Sequence, residues 1–241
     1  MSAPAPELSL VVPVHNEAGV VAGVLTAWAA EVERLGIDYE LRVYDDGSRD
    51  DTPRVLATLA ARLPKLRVAR HANMGHGPTI LRGYREALGA WVFQLDSDDE
   101  TGPESFEALW RRREDFDLLL GARAGRGGSV QRRLVTRAAR AAVRLFGRGI
   151  TDVNTPYRLV RASALAMLLP RLSAGAFAPN VIMSAWAVRQ DWRIYECPVP
   201  WRPRKVGAGS LLGWKLWRAS ARGAIQLAAT ALGWRRAARL R

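Results

Sequence analysis

Phe93-Gln94-Leu95-Asp96-Ser97-Asp98-Asp99-Glu100 ends an apolar run that begins at Ala90 and then sets four carboxylates within five residues. The run reads as a short buried strand with the acids just past its C-terminal end. In open α/β sheets that edge is where ligands bind. Carboxylates this close repel one another unless a cation sits among them. Oxygen-rich sites select Mg²⁺ or Mn²⁺, and such ions usually grip substrate phosphates as well. The expectation is a metal–diphosphate site at Asp96 and Asp98, with Glu100 as a third oxygen ligand. The competing reading is a solvated acidic turn that caps the helix starting near Pro103.

Working outward, strands and helices alternate on both sides of this segment. Leu8–Val14 is a β-rich apolar run, followed by His15-Asn16-Glu17 and a helical pattern from Ala18 to about Leu35. Glu40–Tyr44 is a second strand. It ends in Asp45-Asp46-Gly47-Ser48-Arg49-Asp50-Asp51-Thr52, and Thr52-Pro53 starts a helix to about Leu63. Leu66–Ala69 is a third strand. Asn73-Met74-Gly75-His76-Gly77-Pro78 is a Gly-rich loop before a helix to about Leu88, and Phe116–Gly121 reads as a fifth strand. The alternation argues for a mostly parallel sheet. Its polar motifs at 45–48, 73–77 and 96–98 then converge on one edge, and this convergence favours the metal reading. Asp45 and Asp46 suit a base or ribose. Gly75 and Gly77 would let backbone amides approach a ligand at a helix N-terminus. For each motif the plainer alternative is a tight turn. His15 and His76 read as contacts or caps, because no second His or Cys lies at metal-ligand spacing.

Charge divides the chain. Residues 1–117 carry 13 Lys+Arg against 20 Asp+Glu, whereas residues 118–241 carry 23 against 3. The whole chain of 241 residues stands at +13. Such asymmetry points to a polyanion or an anionic membrane surface, beside a background of Arg-rich composition. Cys197 is the lone cysteine, so no internal disulfide can form, which suits a reducing compartment. No apolar run reaches bilayer-spanning length, and Met1–Glu7 lacks a signal-peptide pattern.

Val130–Phe146 has a helical apolar pattern (Leu134, Ala138, Ala141, Ala142, Leu145) with arginines around it. Gly149–Arg158 is a polar, Pro-containing loop, Ala162–Leu169 and Asn180–Arg189 are helical, and Arg193–Cys197 is a strand. Trp201–Ser210 is basic and Gly-rich and suits an anion-binding flap. From Leu211 the tail is helical. Trp214, Trp217, Ala221, Ile225, Ala228 and Leu232 share one face, with Lys215, Arg218 and Arg222 on its flank. Trp-bearing stripes flanked by cations suit a helix lying in a membrane interface. Packing on the domain, or a helix dimer, is the alternative.

The order of motifs resembles family 2 glycosyltransferases of the GT-A fold, and within them the dolichyl- or polyprenyl-phosphate mannose synthase group. The matching residues are Val12-Pro13-Val14-His15-Asn16-Glu17, Asp45–Thr52, Asn73–Gly77, Asp96-x-Asp98, Asp152–Arg158, and Arg202-Pro-Arg204 with Gly207 and Ser210. The resemblance covers roughly residues 8–212 and implies a Rossmann-like α/β catalytic domain over 1–212; the periodicity of the tail makes 213–241 a basic amphipathic helix. It implies an inverting, non-processive transfer of a sugar, mannose favoured, from a nucleotide-diphosphate sugar to a polyprenyl-phosphate lipid. Donor-binding residues would be Pro13, His15, Glu17, Asp45, Asp46, Ser48, Asn73, Gly75, Gly77 and Asp96. Asp96, Asp98 and Glu100 would hold Mg²⁺ or Mn²⁺, with Asp98 also catalytic; the synthases usually carry Gln where Glu100 stands. Arg123, Arg133 and Arg204 would hold the acceptor phosphate. The protein would sit peripherally at the cytoplasmic face of an anionic membrane. The Gln-x-x-Arg-Trp motif of processive relatives is missing from the sequence. Alternatives are a UDP-sugar donor (glucose or N-acetylhexosamine), and a non-catalytic module binding a nucleotide-sugar or a polyanion. A haloacid-type phosphatase would carry its Asp-x-Asp after the first strand, not the fourth. Nucleic-acid binding would leave the acidic sheet edge unexplained.

Overall fold

The computed structural model describes residues 4–124, 130–147, 149–203, 221–231 and 234, with backbone alone over 130–133. Seven strands form one sheet in the order β3-β2-β1-β4-β6-β5-β7. They are β1 (Leu8–Val14), β2 (Tyr39–Asp46), β3 (Leu66–His71), β4 (Trp91–Gln94), β5 (Leu118–Ala124), β6 (Arg158–Arg161) and β7 (Ile194–Pro200). β1 pairs parallel with β2 and β4, β2 with β3, and β5 with β7. β6 runs antiparallel between β4 and β5.

The helices are α1 (Val21–Arg34), α2 (Thr52–Ala60), α3 (His76–Glu86), α4 (Phe106–Arg112), α5 (Val130–Arg144), α6 (Ala162–Leu168) and α7 (Pro179–Arg189). Residues 221–231 form a further helix, α8. Helices cover both faces of the sheet, so every residue of β1 is buried, as expected of a central parallel strand. Its alternation still sorts side chains. Leu8, Leu10, Val12 and Val14 enter one core with α1, α2 and α4. Val11 enters the other, with α3, α5, α6, α7 and α8.

Trp28 centres the first core. Its ring lies 5.0 Å from Phe93, 5.6 Å from Phe106 and 5.7 Å from Tyr157. Truncating a buried aromatic of this kind costs about 3–5 kcal/mol. The second core ends on Trp234, which packs 4.9 Å from Trp186 and 5.9 Å from Phe146.

Three readings of the sequence change here. Residues 158–161 lie at the end of what reads as a loop and continue past it, yet they form β6, the strand that joins the parallel half to the rest. On α5 the buried face is Val143, with Ala139, Ala142 and Phe146 beside it. Most of the stripe read from the sequence (Leu134, Ala138, Ala141, Leu145) is exposed, Leu145 at 85%. On α8 the packed residues are Leu227 and Ala231, with Trp234 just beyond. Ala221, Ile225 and Ala228 face outward, Ile225 at 69% exposure. Trp214, Trp217 and Leu232 lie outside the described residues.

Candidate active site

A cleft of about 610 Å³ opens at the carboxyl ends of β1, β2 and β4. It is lined by Pro13, His15, Glu17, Asp46, Asn73–Pro78, Asp96–Asp98, Glu100 and Arg123. Asn154, Pro156, Gly175, Phe177–Asn180 and Arg222 also line it. Two loops are stitched together at one end of it. Asn16 N–H donates to Ser48 Oγ (2.9 Å), Glu17 N–H to Thr52 Oγ1 (2.9 Å) and Ala18 N–H to Asp50 Oδ2 (3.2 Å). Arg49 N–H returns a bond to Asn16 Oδ1 (2.8 Å), which holds Asn16 at φ 54. Side chains that bond nearby backbone in this way replace the ladder that the loops lack.

The two adjacent aspartates do different work. Asp45 is fully buried and caps its own turn, accepting Ser48 N–H at 2.8 Å, with Arg70 Nε 3.2 Å from its other oxygen. Neither Asp45 nor Ser48 lines the cleft. Asp46 does. It accepts Met74 N–H (2.7 Å) and Gly75 N–H (3.0 Å), and so anchors the loop ahead of α3. The Asp46 carbonyl takes Asn73 Nδ2–H at 3.0 Å and lies 2.8 Å from His15 Nδ1. Gly47 makes this possible: at φ 68, any Cβ there would lie 2.7 Å from Asn73 N. His71 Nδ1 is 3.5 Å from Asp46 and His76 Nε2 is 3.6 Å from Asp96. All three histidines of the chain therefore border this edge, as contacts.

Behind the acidic turn lies a buried polar chain. Gln94 Nε2–H donates to Asp96 Oδ1 (3.1 Å), and Asn180 Nδ2–H donates to Gln94 Oε1 (2.8 Å). The Tyr84 hydroxyl sits between Gln94 Oε1 (3.5 Å) and Asn180 Oδ1 (3.3 Å), and burial pushes its pKa up, so it stays protonated. Asp98 Oδ1 accepts Glu100 N–H (3.1 Å), and Asp99 takes φ 60 to close the turn. Glu100 Oε2 accepts the Trp201 indole N–H (3.0 Å), and its carbonyl accepts Arg202 N–H (2.8 Å). Arg202 also pairs with Glu104. Among the described residues, no three His, Cys, Asp or Glu side chains are grouped to hold a metal. The donor set nonetheless suits a hard divalent cation: Asp96, Asp98 and Glu100 line one cleft, and all offer carboxylate oxygen.

The expected phosphate-binding arginines fare unevenly. Arg123 reaches the cleft but is held by a two-bond pair with Asp152 (2.8 and 3.0 Å) and donates to Asn154 O (3.3 Å). The Arg133 side chain and Arg204 lie outside the described residues. Sequence reading passed over Gln94 and Asn180 as site residues, took Trp201 only as the start of a basic flap, and placed Arg222 only on a helix flank. Gln94 carried a signal, as a polar residue inside an otherwise apolar strand. Arg222 carried none, because only the fold returns α8 to the cleft.

The sequence model of Glycosyl transferase family 2 matches residues 9–169. The chain belongs to this family. The match takes in β1 to β6 and both acidic motifs of the family 2 domain. Curated relatives include the undecaprenyl-phosphate 4-deoxy-4-formamido-L-arabinose transferases of Pseudomonas syringae pv. syringae (strain B728a), 30% identical, and Pseudomonas aeruginosa (strain LESB58), 31% identical. Each alignment covers 71% of this chain and 52% of the relative. The chain thus spans about half the length of the curated relatives it matches. Solved structures with a similar fold include Mycobacterium tuberculosis glucosyl-3-phosphoglycerate synthase in complex with phosphoglyceric acid. It has TM-score 0.67 and 20% identity, covering 93% of this chain and 80% of that one. Staphylococcus aureus TarS 1-349 aligns at TM-score 0.53 and 19% identity, covering 79% and 58%. At these identities the structures establish the GT-A fold. Another crystal structure of the synthase holds Mn²⁺, UDP-glucose and phosphoglyceric acid.

Proposed function

We propose that the chain transfers a sugar from a nucleotide-diphosphate sugar to a polyprenyl phosphate, with inversion and one sugar per event. The observation that carries this reading is the convergence of Asp46, the 73–77 loop and Asp96, Asp98 and Glu100 on one cleft. Family membership and the lipid-phosphate relatives support it. Mannose, favoured by the motif resemblance, gains no support from those relatives, whose named sugar is a formamido-arabinose. A UDP-sugar donor gains support from the Mn²⁺ and UDP-glucose complex of the structural neighbour.

In this reading the nucleoside lies against Pro13, His15, Glu17 and Asn73, on the loop that Asp46 fixes. The diphosphate lies toward Gly75 and Gly77 at the start of α3, where backbone N–H groups and the helix dipole favour anions. Asp96 and Asp98 would hold Mg²⁺ or Mn²⁺, with Glu100 as a third oxygen. When bound, that ion supplies positive charge against the leaving diphosphate. Gln94 keeps Asp96 aimed at the cleft. An acceptor phosphate oxygen, already anionic near neutral pH, forms the bond to the anomeric carbon as the bond to the diphosphate oxygen breaks. No strong general base is required. Arginines then offset the repulsion between two anionic substrates.

The outward stripes of α5 and α8, with Arg137 and Arg144 exposed beside the first, fit a peripheral seat on an anionic lipid surface. Among the described residues no helix is long and apolar enough to cross a membrane. Sedimentation with vesicles tests the seat: binding to phosphatidylglycerol vesicles that salt weakens supports it, and indifference to them contradicts it. The reaction is tested by incubating the protein with labelled UDP- and GDP-sugars, Mn²⁺ and undecaprenyl phosphate. Label passing into the organic phase supports the reading. Hydrolysis alone contradicts transfer to the lipid phosphate, and no turnover with any donor leaves only a binding module.

A further inference from the structure

α8 lies outside the family match at 9–169, yet it forms a wall of the cleft. Gln226 ties it there. Its Oε1 accepts Phe177 N–H at 2.6 Å and its Nε2–H donates to Gly175 O at 3.2 Å. The same loop presses on the donor end. A Cβ at Gly77 would lie 2.3 Å from Ala176 O and 2.5 Å from Phe177 O. The 175–178 loop is therefore wedged between the start of α3 and α8, and a side chain on α8 can reach the space beside Gly77.

Arg222 is that side chain. It stands one helical turn before Gln226, on the same face. It lines the cleft, with its guanidinium carbon 5.9 Å from the Phe177 ring centre. The described cleft lining holds two arginines, and they differ in one respect. Arg123 is occupied by Asp152, whereas no carboxylate among the described residues pairs with Arg222. A guanidinium facing a cleft meant for phosphates, with its donors not spent on a carboxylate, is suited to a two-bond grip on a phosphate.

We propose that Arg222 binds a substrate phosphate oxygen in the cleft, and that Gln226 positions it by fixing α8 to the 175–178 loop. This rests on the transferase reading above. The phosphate has two sources, the donor diphosphate and the acceptor phosphate, and both are within the test.

Arg222→Ala and Arg222→Lys are made in the full chain and compared with wild type. UDP and GDP affinities are measured by calorimetry with Mn²⁺, and kcat and KM by transfer to undecaprenyl phosphate. If the donor is the source, Arg222→Ala weakens nucleotide binding by about tenfold or more, the size expected of a lost charged hydrogen bond. If the acceptor is the source, nucleotide affinity holds and KM for undecaprenyl phosphate rises by a similar factor, while kcat changes little. In either case Tm is unchanged, because the residue is exposed, and Lys restores part of the loss. Both constants staying within about twofold of wild type would overturn the proposal, since no charged contact is then lost. So would a loss that tracks a fall in Tm and that Lys does not relieve. A wild type that neither binds nucleotide nor transfers sugar defeats the functional reading and this inference with it. An active wild type indifferent to Arg222→Ala defeats the inference alone.

Discussion

Two adjacent aspartates show how far single residues separate at this site. Asp45 and Asp46 differ by one position, so their side chains leave the strand on opposite faces. One is spent on a turn and the other on the loop that fronts the cleft. A sequence shows that a pair of acids follows a strand; it does not show which of them the pleat turns toward the ligand. Asp98 is the residue whose loss the account predicts to be most damaging. Asp98→Ala is expected to reduce metal-dependent transfer by about a hundredfold or more, some 3 kcal/mol of lost charge stabilisation, with Tm within error of wild type. Single-turnover assays with Mn²⁺ titration check this, and full activity would remove the metal assignment. Gly77→Ala acts by shape. Its Cβ meets two backbone oxygens that cannot swing aside. The expected cost is about 1–3 kcal/mol by crowding, visible as a lower Tm together with weaker nucleotide binding. Wild-type Tm would show that the 175–178 loop moves freely.

At the scale of elements, the acidic turn is not isolated. Trp201 and Arg202, just past β7, bond to Glu100 and Glu104. The turn after β4 is thereby strapped to the segment leading into the basic stretch around Arg204. Glu100→Gln keeps an oxygen for the indole N–H and is expected to leave Mn²⁺ affinity within about threefold of wild type, since amide and carboxylate both accept there. Loss of Mn²⁺ binding would instead make the Glu100 charge a requirement of the metal site.

The parallel strands β1 to β4 were legible because apolar runs alternate with helical periods and each run gives way to polar residues, His15, Asp45, Arg70 and Asp96. β6 was not. Arg-Leu-Val-Arg is four residues long and follows Pro156. Its first residue, Arg158, is fully buried although the sequence reads it as the end of a polar loop. The fold holds Arg158 with carbonyls instead, of Thr155 (2.9 Å), Asn180 (3.1 Å) and Val153 (3.4 Å), and burial lowers its pKa. Such partners lie on other elements and leave no local trace. For the same reason the stripe on α5 was read without a neighbour, and that on α8 as a lipid face with packing as the alternative: periodicity marks a stripe, not its neighbour.

For the whole molecule, the contrast between acidic first half and basic second half is partly closed by pairing across it. Arg161 and Arg193 reach Asp117, Arg161 also meets Glu114, and Arg202 meets Glu104. Several carboxylates are held below their ordinary pKa by their hydrogen-bond and charge partners, across this divide or within the first half. Asp117 is lowered by its Arg193 hydrogen bonds. For Asp50 and Glu86 burial acts upward but is outweighed, by Thr52 and Ala18 for Asp50 and by Arg82 and Tyr44 for Glu86. A folded-state value below the unfolded one stabilises at higher pH and is lost as protons return. The fold should therefore keep its Tm at neutral pH and weaken progressively as pH falls through and below the ordinary aspartate value of 3.8. Melting curves across an acid series check the sign, and a Tm that rises on acidification would contradict it.

The proposed function requires one cleft to hold a nucleotide diphosphate and a divalent metal together. The most direct measurement is the melting temperature with UDP, GDP and their sugars, each with Mn²⁺ or with EDTA. A ligand that binds only the folded state at a hundred times its Kd adds about 2.7 kcal/mol. The account predicts a clear upward shift with one nucleotide, abolished by EDTA and by Asp98→Ala. No shift with any nucleotide, or a shift of equal size in EDTA, would contradict it.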